Sequence, residues 1–199
     1  VRWMGRLIRG RLGTPQAFLG KISDVQNEMT REQDLREKAS VDGLTGALNR
    51  KAAEQKINTL MQDKECKGYL LMLDIDDFKT VNDTMGHAIG DLALITLVKL
   101  LKEHFRREDI IGRLGGDEFI VFVKEIEDEI QAQKKADEVC QKIREIYIED
   151  FKGSISCSIG IAFYPKHGIT FKTLYNLADQ ALYQTKNQGR NGYTCYIEK

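Results

Sequence analysis

Neither sign of charge is in excess. Lys plus Arg and Asp plus Glu each number 30 in a chain of 199 residues, so the formal net charge is zero. That balance removes the electrostatic case for duplex nucleic acid or an anionic membrane as a partner. It leaves room for a small anionic ligand gripped by a few local cations. Cysteine is sparse: Cys66, Cys140, Cys157 and Cys195 stand far apart along the chain and share no CxxC. This favours buried, reduced thiols of a cytoplasmic protein over a disulfide framework or a metal set. No apolar run approaches the roughly 20 residues of a membrane span, and neither a secretory leader nor an internal repeat nor a low-complexity segment is visible. The expectation is no nucleic acid and no membrane contact for this length of chain. It opens at Val1 without a methionine, as a fragment of a larger protein would.

What is present supports a real core. Hydrophobic residues make up 42% of the chain, and the length suits one ordinary domain plus an appendage. The appendage reads as residues 1–23: "VRWMGRLIR" and "AFLGKISDV" as two strands, with Gly13 and Pro15 as turn formers between them. A hairpin of this size is not stable alone. The charged stretch "NEMTREQDLREKAS" follows without Gly or Pro, and reads as a linker helix within residues 24–40. Its stripe of Val25, Met29, Glu32, Leu35 and Ala39 suits either a short coiled coil or a solvated linker.

From about residue 41 onward, helices and buried strands alternate. "KAAEQKINTLMQDKE", "DLALITLVKLLKEHFR", "EDEIQAQKKADEVCQKIREIYIE" and "TFKTLYNLADQALYQTKNQ" carry helical periodicity. "GYLLMLDID" is a nearly continuous apolar run, as a strand buried on both faces should be. "DIIGRL", "EFIVFVKEI", "SISCSIGIAFY" and "YTCYIE" read as further strands. Interleaving of this kind predicts an α/β sandwich whose sheet is covered by helices on at least one face.

Two acidic corners interrupt the pattern. In "RLGGDEF", Arg113 to Phe119, Gly115 and Gly116 can take the positive φ that a tight hairpin needs, and they leave the backbone bare to an approaching molecule. A GGDE alone also suits an ordinary surface hairpin. Asp74, Asp76 and Asp77 come where the apolar strand ends, and ligands gather beyond such strand ends. Alternation puts Asp74 and Asp76 on one face, with Ile75 pointing away. Clustered carboxylates and carbonyls suit a hard cation such as Mg²⁺, together with phosphate oxygens. Asp76 or Asp77 is also placed to cap a helix starting at Phe78, which leaves Asp74 as the ligand.

Five segments in order carry a resemblance: "DGLTGALNR" from Asp42, "DIDDFKTVNDTMGHAIGD" from Asp74, "RLGGDEF" from Arg113, "SIGIA" from Ser158, and "ADQALYQTKNQGRN" from Ala178. Together, over about residues 40 to 199, the chain resembles the GGDEF domain of diguanylate cyclases. In the first segment Ala47 stands where leucine is usual, a change expected to affect packing rather than chemistry. The resemblance implies a nucleotide-cyclase or polymerase-palm-like fold: a central, mostly antiparallel sheet flanked by helices, here within residues 41–199. It implies an enzyme that joins two GTP into cyclic di-GMP, releasing two pyrophosphates, with Mg²⁺ or Mn²⁺ in a two-metal site. It also implies a homodimer, because each domain holds one GTP and the reaction needs two.

By the same resemblance, the Asp74 carboxylate, the Ile75 carbonyl and the Asp117 carboxylate hold the metals. Asp117 is also the proposed base for the 3′-hydroxyl, with Glu118 its acidic neighbour. Asn82 and Asp91 match positions that hydrogen-bond the guanine edge, where a carboxylate can accept from N1–H and N2–H₂. His87 matches a position near the base, or closes a turn. Lys79, Lys186 and Arg190 match phosphate contacts. Lys186 and Arg190 lie four apart, as if on one side of a helix end. Arg106 and Asp109 make the RxxD of the family's inhibitory product site, though an i, i+3 surface ion pair would look the same. Lys134 and Lys135 stand in the following helix, where the family often supplies an arginine. The N-terminal piece resembles the last strands of a PAS sensor domain running into a signalling helix. The alternative reading is a catalytically silent module that binds GTP or cyclic di-GMP.

Overall fold

The structure, a computed structural model, describes residues 2–9, 15–23, 40–63, 65–125, 128–146 and 155–198. The chain divides into two compact units, Val1–Ser40 and Val41–Lys199. In the first, β1 (Arg2–Arg9) pairs antiparallel with β2 (Pro15–Ser23). Pro15 is therefore the first residue of a strand rather than part of the turn. A proline is tolerated there because the first strand position needs no ladder N–H. The expected linker helix lies, apart from Ser40, outside the described residues.

The second unit is a six-stranded sheet in the order β3-β5-β6-β4-β7-β8. These are β3 (Leu48–Asn49), β4 (Gly68–Ile75), β5 (Ile110–Gly115), β6 (Glu118–Lys124), β7 (Cys157–Tyr164) and β8 (Gly192–Cys195). The four central strands pair antiparallel, while the edge strands β3 and β8 pair parallel with their neighbours. Strand β4 sits inside this sheet, and all of its residues are buried.

Strand alternation separates two cores. Leu70, Met72, Ile120, Phe122 and Ala162 point to one face, under α1 (Arg50–Leu60) and α5 (Phe171–Asn187). Leu71, Leu73, Phe119, Val121, Ile159 and Ile161 point to the other, under α3 (His87–His104) and α4 (Glu129–Arg144). A sheet covered on both faces explains why β4 and β7 read as unbroken apolar runs instead of alternating ones. Cys140 and Cys157 are buried free thiols with their sulfurs 3.9 Å apart, and Cys66 and Cys195 are half-buried and free.

Local signals set several boundaries. Asn49 caps α1 by accepting from the Ala52 N–H at 3.0 Å, Asp128 caps α4 through Gln131 at 2.8 Å, and Thr170 caps α5 through Thr173 at 3.2 Å. Helix α1 stops at Leu60, short of the Glu65 its sequence suggested. There Gln62 and Asp63 close tighter turns onto the Thr59 and Leu60 carbonyls, at 3.3 and 3.2 Å. Helix α3 starts at His87, four residues before the expected Asp91. A short helix α2 (Phe78–Met85) precedes it, and Gly86, at φ +85°, turns the chain from one helix straight into the next.

Candidate active site

Strand β4 delivers Asp74 to the end of the sheet, paired in register with Glu118 of β6 on one side and Ser158 of β7 on the other. Asp74 is nearly buried, and its Oδ2 takes a 2.8 Å ion pair from Lys186 Nζ of α5. Burial pushes the Asp74 carboxyl above its ordinary range. The Asp117 and Glu118 charges push the same way, against the pull of Lys186. Two further carboxylates thus lie close enough to disfavour the ionisation of Asp74. Such a grouping gains from an added cation.

Asp76 does something else. Its carboxylate accepts from the Ser156 hydroxyl at 2.6 Å, the Ser158 hydroxyl at 2.7 Å and the Asn191 main-chain N–H at 3.0 Å. It ties the strand end to β7 and to the turn after α5. Asp77 occupies the N-cap position of α2 in the left-handed conformation, at φ +52°, with no side-chain capping bond. Neither aspartate therefore caps α2 through its side chain. Asp76 is already bonded elsewhere, and the left-handed backbone of Asp77 departs from the extended form in which capping side chains reach back.

The glycine hairpin joins β5 to β6. Gly115 and Gly116 have φ of +151° and +52°, and a Cβ on either would meet open space. The glycines answer to backbone conformation here, and the space above them is free. Arg113 fixes the turn: its Nε and Nη2 donate to the Gly116 carbonyl at 2.9 and 2.7 Å, and its Nη1 donates to Asp42 at 2.9 Å. Asp42 also accepts from the Thr45 N–H at 2.9 Å and the Thr45 hydroxyl at 2.6 Å. Burial alone would raise the Asp42 carboxyl, but the Thr45 and Arg113 bonds outweigh it and hold the carboxyl below its ordinary range. Asp42 and Arg113 went unassigned from sequence. The available signal was the aspartate three residues before a threonine, a local turn pattern.

Helices α2 and α3 pack side by side. Asn82 is half-buried between them, while His87 and Asp91 are exposed on α3 and Lys79 is exposed on α2. A Cβ at Gly90 would lie 1.9 Å from Asn82 Oδ1. Gly90 therefore lets the Asn82 amide rest against α3, one residue from Asp91, and the two proposed base contacts lie on neighbouring helices.

Lys186 and Arg190 both reach the acidic corner, but not as a helical pair. Helix α5 ends at Asn187, and Arg190 lies beyond it at φ +65°, its N–H closing on the Thr185 carbonyl at 3.1 Å. Gly189 breaks the helical spacing. Lys186 then pairs with Asp74 from the helix, and Arg190 approaches Asp77 from the turn, Nε to Oδ1 3.7 Å.

Arg106 and Asp109 sit at the opposite end of β5 from the hairpin. Asp109 Oδ2 takes the main-chain N–H of Arg106 at 2.8 Å rather than its guanidinium, so a turn explains the spacing. Burial raises the Asp109 carboxyl. The turn opens on a cleft that includes Tyr69, Lys134 and Lys135.

Residues 39–192 match the family model described as "Diguanylate cyclase, GGDEF domain". The chain belongs to the GGDEF family. It is 34% identical over 182 residues to diguanylate cyclase TpbB of Pseudomonas aeruginosa, an alignment covering 87% of this chain and 42% of TpbB. It is 38% identical over 161 residues to the bifunctional diguanylate cyclase/cyclic di-GMP phosphodiesterase MucR of the same species, covering 79% of this chain and 23% of MucR. The chain thus spans less than half the length of either relative. Among solved structures, the GGDEF domain of TpbB (YfiN) superposes with a TM-score of 0.75 at 33% identity, covering 79% of this chain and 94% of that one. The coiled coil and GGDEF domain of DgcB from Caulobacter crescentus, in complex with c-di-GMP, gives a TM-score of 0.77 at 27% identity, covering 86% and 93%. The α/β sandwich expected from the sequence is the fold of these GGDEF domains.

Proposed function

We propose that this GGDEF domain is a diguanylate cyclase, condensing two GTP into cyclic di-GMP with release of two pyrophosphates. The observation that carries the reading is the corner where Asp74, its Lys186 partner and the "GGDE" hairpin meet. Asp74, the Ile75 carbonyl and Asp117 are the proposed metal ligands. Among the described residues no three His, Cys, Asp or Glu side chains form a complete metal site. Two carboxylates and one carbonyl fit instead a hard cation that shares its shell with phosphate oxygens. Mg²⁺ or Mn²⁺, as a pair, would neutralise phosphate charge there and align the in-line displacement.

The remaining roles belong to the chain itself. Asp117 accepts the proton of the 3′-hydroxyl of one GTP. That oxygen bonds the α-phosphorus of the other GTP, and the bond to pyrophosphate breaks. Two such steps close the ring. Glu118 stands beside Asp117 and adds negative charge to the corner. Lys79, Lys186 and Arg190 grip the triphosphate, and Asn82, Asp91 and His87 hold the guanine. Each domain offers one such site, so two copies must face each other as a homodimer. Arg106 and Asp109 form a separate product site through which cyclic di-GMP inhibits, and residues 1–40 are the tail of a PAS-like sensor and its signalling helix. No helix among the described residues is long and apolar enough to cross a membrane, and the proposed location is cytoplasmic.

Incubation with GTP and Mg²⁺, followed by product separation, tests the activity. Cyclic di-GMP should accumulate, and a chain that binds GTP but makes none is the silent module instead. Two variants test the base contacts. Asp91→Ser removes an acceptor for guanine, so the preference for GTP over ATP in kcat/KM should relax by about 1–3 kcal/mol. An unchanged ratio contradicts the assignment. Gly90→Ala should push the Asn82 amide aside while α3 persists, raising the GTP KM about fivefold for one lost hydrogen bond and changing kcat less. An unaltered KM would show that Asn82 does not hold the base.

A further inference from the structure

The cleft beside Arg106 and Asp109 contains two groups that the reading above does not use. His104, the last residue of α3, faces Glu138 of α4 with Nε2 3.3 Å from Oε2. The contact becomes an ion pair only when the imidazole is protonated. His104 Nε2 and Asp109 Oδ1 are both buried and lack a hydrogen-bond partner. Buried polar atoms left unpaired cost free energy and are uncommon. Both residues line the one cleft. One aromatic ring lies against both side chains: His104 meets Phe105 edge-on at 5.8 Å, and Lys135 Nζ lies 5.6 Å from the same ring centroid.

We propose that His104 is a further binding residue of the product site, donating from Nε2 to a phosphate oxygen of cyclic di-GMP and taking up a proton as that dianion binds. The proposal rests on the reading of Arg106 and Asp109 as the product site.

The charges around the imidazole support it. From α4 come Glu138, Lys134, Lys135 and Lys142, from the turn Arg106 and Asp109, and from the end of β6 and just past it Lys124 and Glu125. Tyr69 of β4, whose phenol is raised by burial, stays neutral. Burial, then Lys135, push the His104 imidazole below its ordinary range, and Glu138 opposes them only in part. The free protein therefore holds His104 neutral near pH 7. A ligand carrying two negative charges reverses this: it offsets the lysines and favours the imidazolium, as does the C-terminal end of α3. The bound state then carries more protons than the free state. By linkage, binding strengthens as pH falls, by at most about tenfold per pH unit for one proton. Asp109 is the rival proton acceptor. Protonation there would turn a lone-pair acceptor for the guanine N1–H and N2–H₂ into a donor, which weakens the site it serves.

Calorimetric titration with cyclic di-GMP, at about pH 6, 7 and 8 and in two buffers of different ionisation enthalpy, tests this on the parent, His104→Gln and Arg106→Ala. The parent should bind about tenfold more tightly at the lowest pH than at the highest, taking up as much as one proton. His104→Gln should bind within about threefold of the parent at the highest pH, with no pH dependence and no proton uptake. A parent affinity that is flat with pH overturns the proposal. So does pH dependence that survives in His104→Gln, which would assign the proton to Asp109. A parent that binds no cyclic di-GMP, or an Arg106→Ala variant that binds it as tightly as the parent, overturns the product-site reading itself and His104 with it.

Discussion

Asp117→Asn is expected to remove turnover, by about a thousandfold or more, while leaving the fold intact. The substitution keeps the shape of the side chain and removes its charge. Both proposed roles, metal ligand and acceptor of the 3′-hydroxyl proton, need that charge. The fold has no such need. Asp117 follows two glycines in an open turn, and the turn is held through the Gly116 carbonyl by Arg113. The Asp74 carboxyl sits above its ordinary range because of burial, with Asp117 adding to it. An aspartate whose pKa is raised on folding loses folded-state stability as pH climbs from its unfolded value through its folded one. Removing the Asp117 charge relieves part of that loss. The variant should therefore melt at the same temperature as the parent or slightly higher at neutral pH, and the gap should close as the pH drops below the carboxylate range. Cyclic di-GMP production, read beside a thermal melt, checks both halves. Normal rates in a purified variant would exclude Asp117 from the chemistry. A large loss of melting temperature would mean that the acidic corner is structural.

Gly160→Ala is expected to be the most damaging small change to the fold. A Cβ there would lie 2.0 Å from the Ala178 carbonyl oxygen, 2.3 Å from the Leu182 nitrogen and 2.9 Å from the Leu182 Cα. These are backbone atoms of α5, which packs directly on β7 at this point. No side-chain rotation relieves the collision, so the helix must lift or the strand must bow. The cost should be about 3 kcal/mol or more, an overpacking penalty at a rigid contact. For a unit of this size that corresponds to a fall in melting temperature of about 6–12 °C. Helix α5 also carries Lys186 to Asp74, so activity per folded molecule should fall as well. Gly43→Ala is the control: nothing lies within 4 Å of its added Cβ, and stability should change by less than about 0.5 kcal/mol. Equal melting temperatures for the two variants would show that the α5 to β7 contact is looser than these distances.

The strands and helices of residues 41–199 were largely legible because burial on two faces leaves a one-dimensional signature. The run "GYLLMLDI" has no polar position until Asp74, and that break marks the strand end where the acids gather. The hairpin was legible for a similar reason, since paired glycines before two carboxylates restrict the backbone to few conformations. Periodicity reports which face a side chain takes, but not what lies opposite it. Hence Asp76 looked like a helix cap, and only the fold brought Ser156, Ser158 and the Asn191 N–H to it. Arg190 looked like the helical neighbour of Lys186 until Gly189 and a left-handed turn placed it past the end of α5. Strand β3, two residues long, has no periodicity to read and exists because β5 lies beside it. The clamp from Asp42 through Arg113 to Gly116 spans 71 residues of sequence between its two side chains. So the sequence by itself determined most of the strands and helices of residues 41–199, a sheet covered by helices on at least one face, and the acids at the strand end. The tertiary structure alone decided which polar group meets which, because those bonds close only after distant strands have paired.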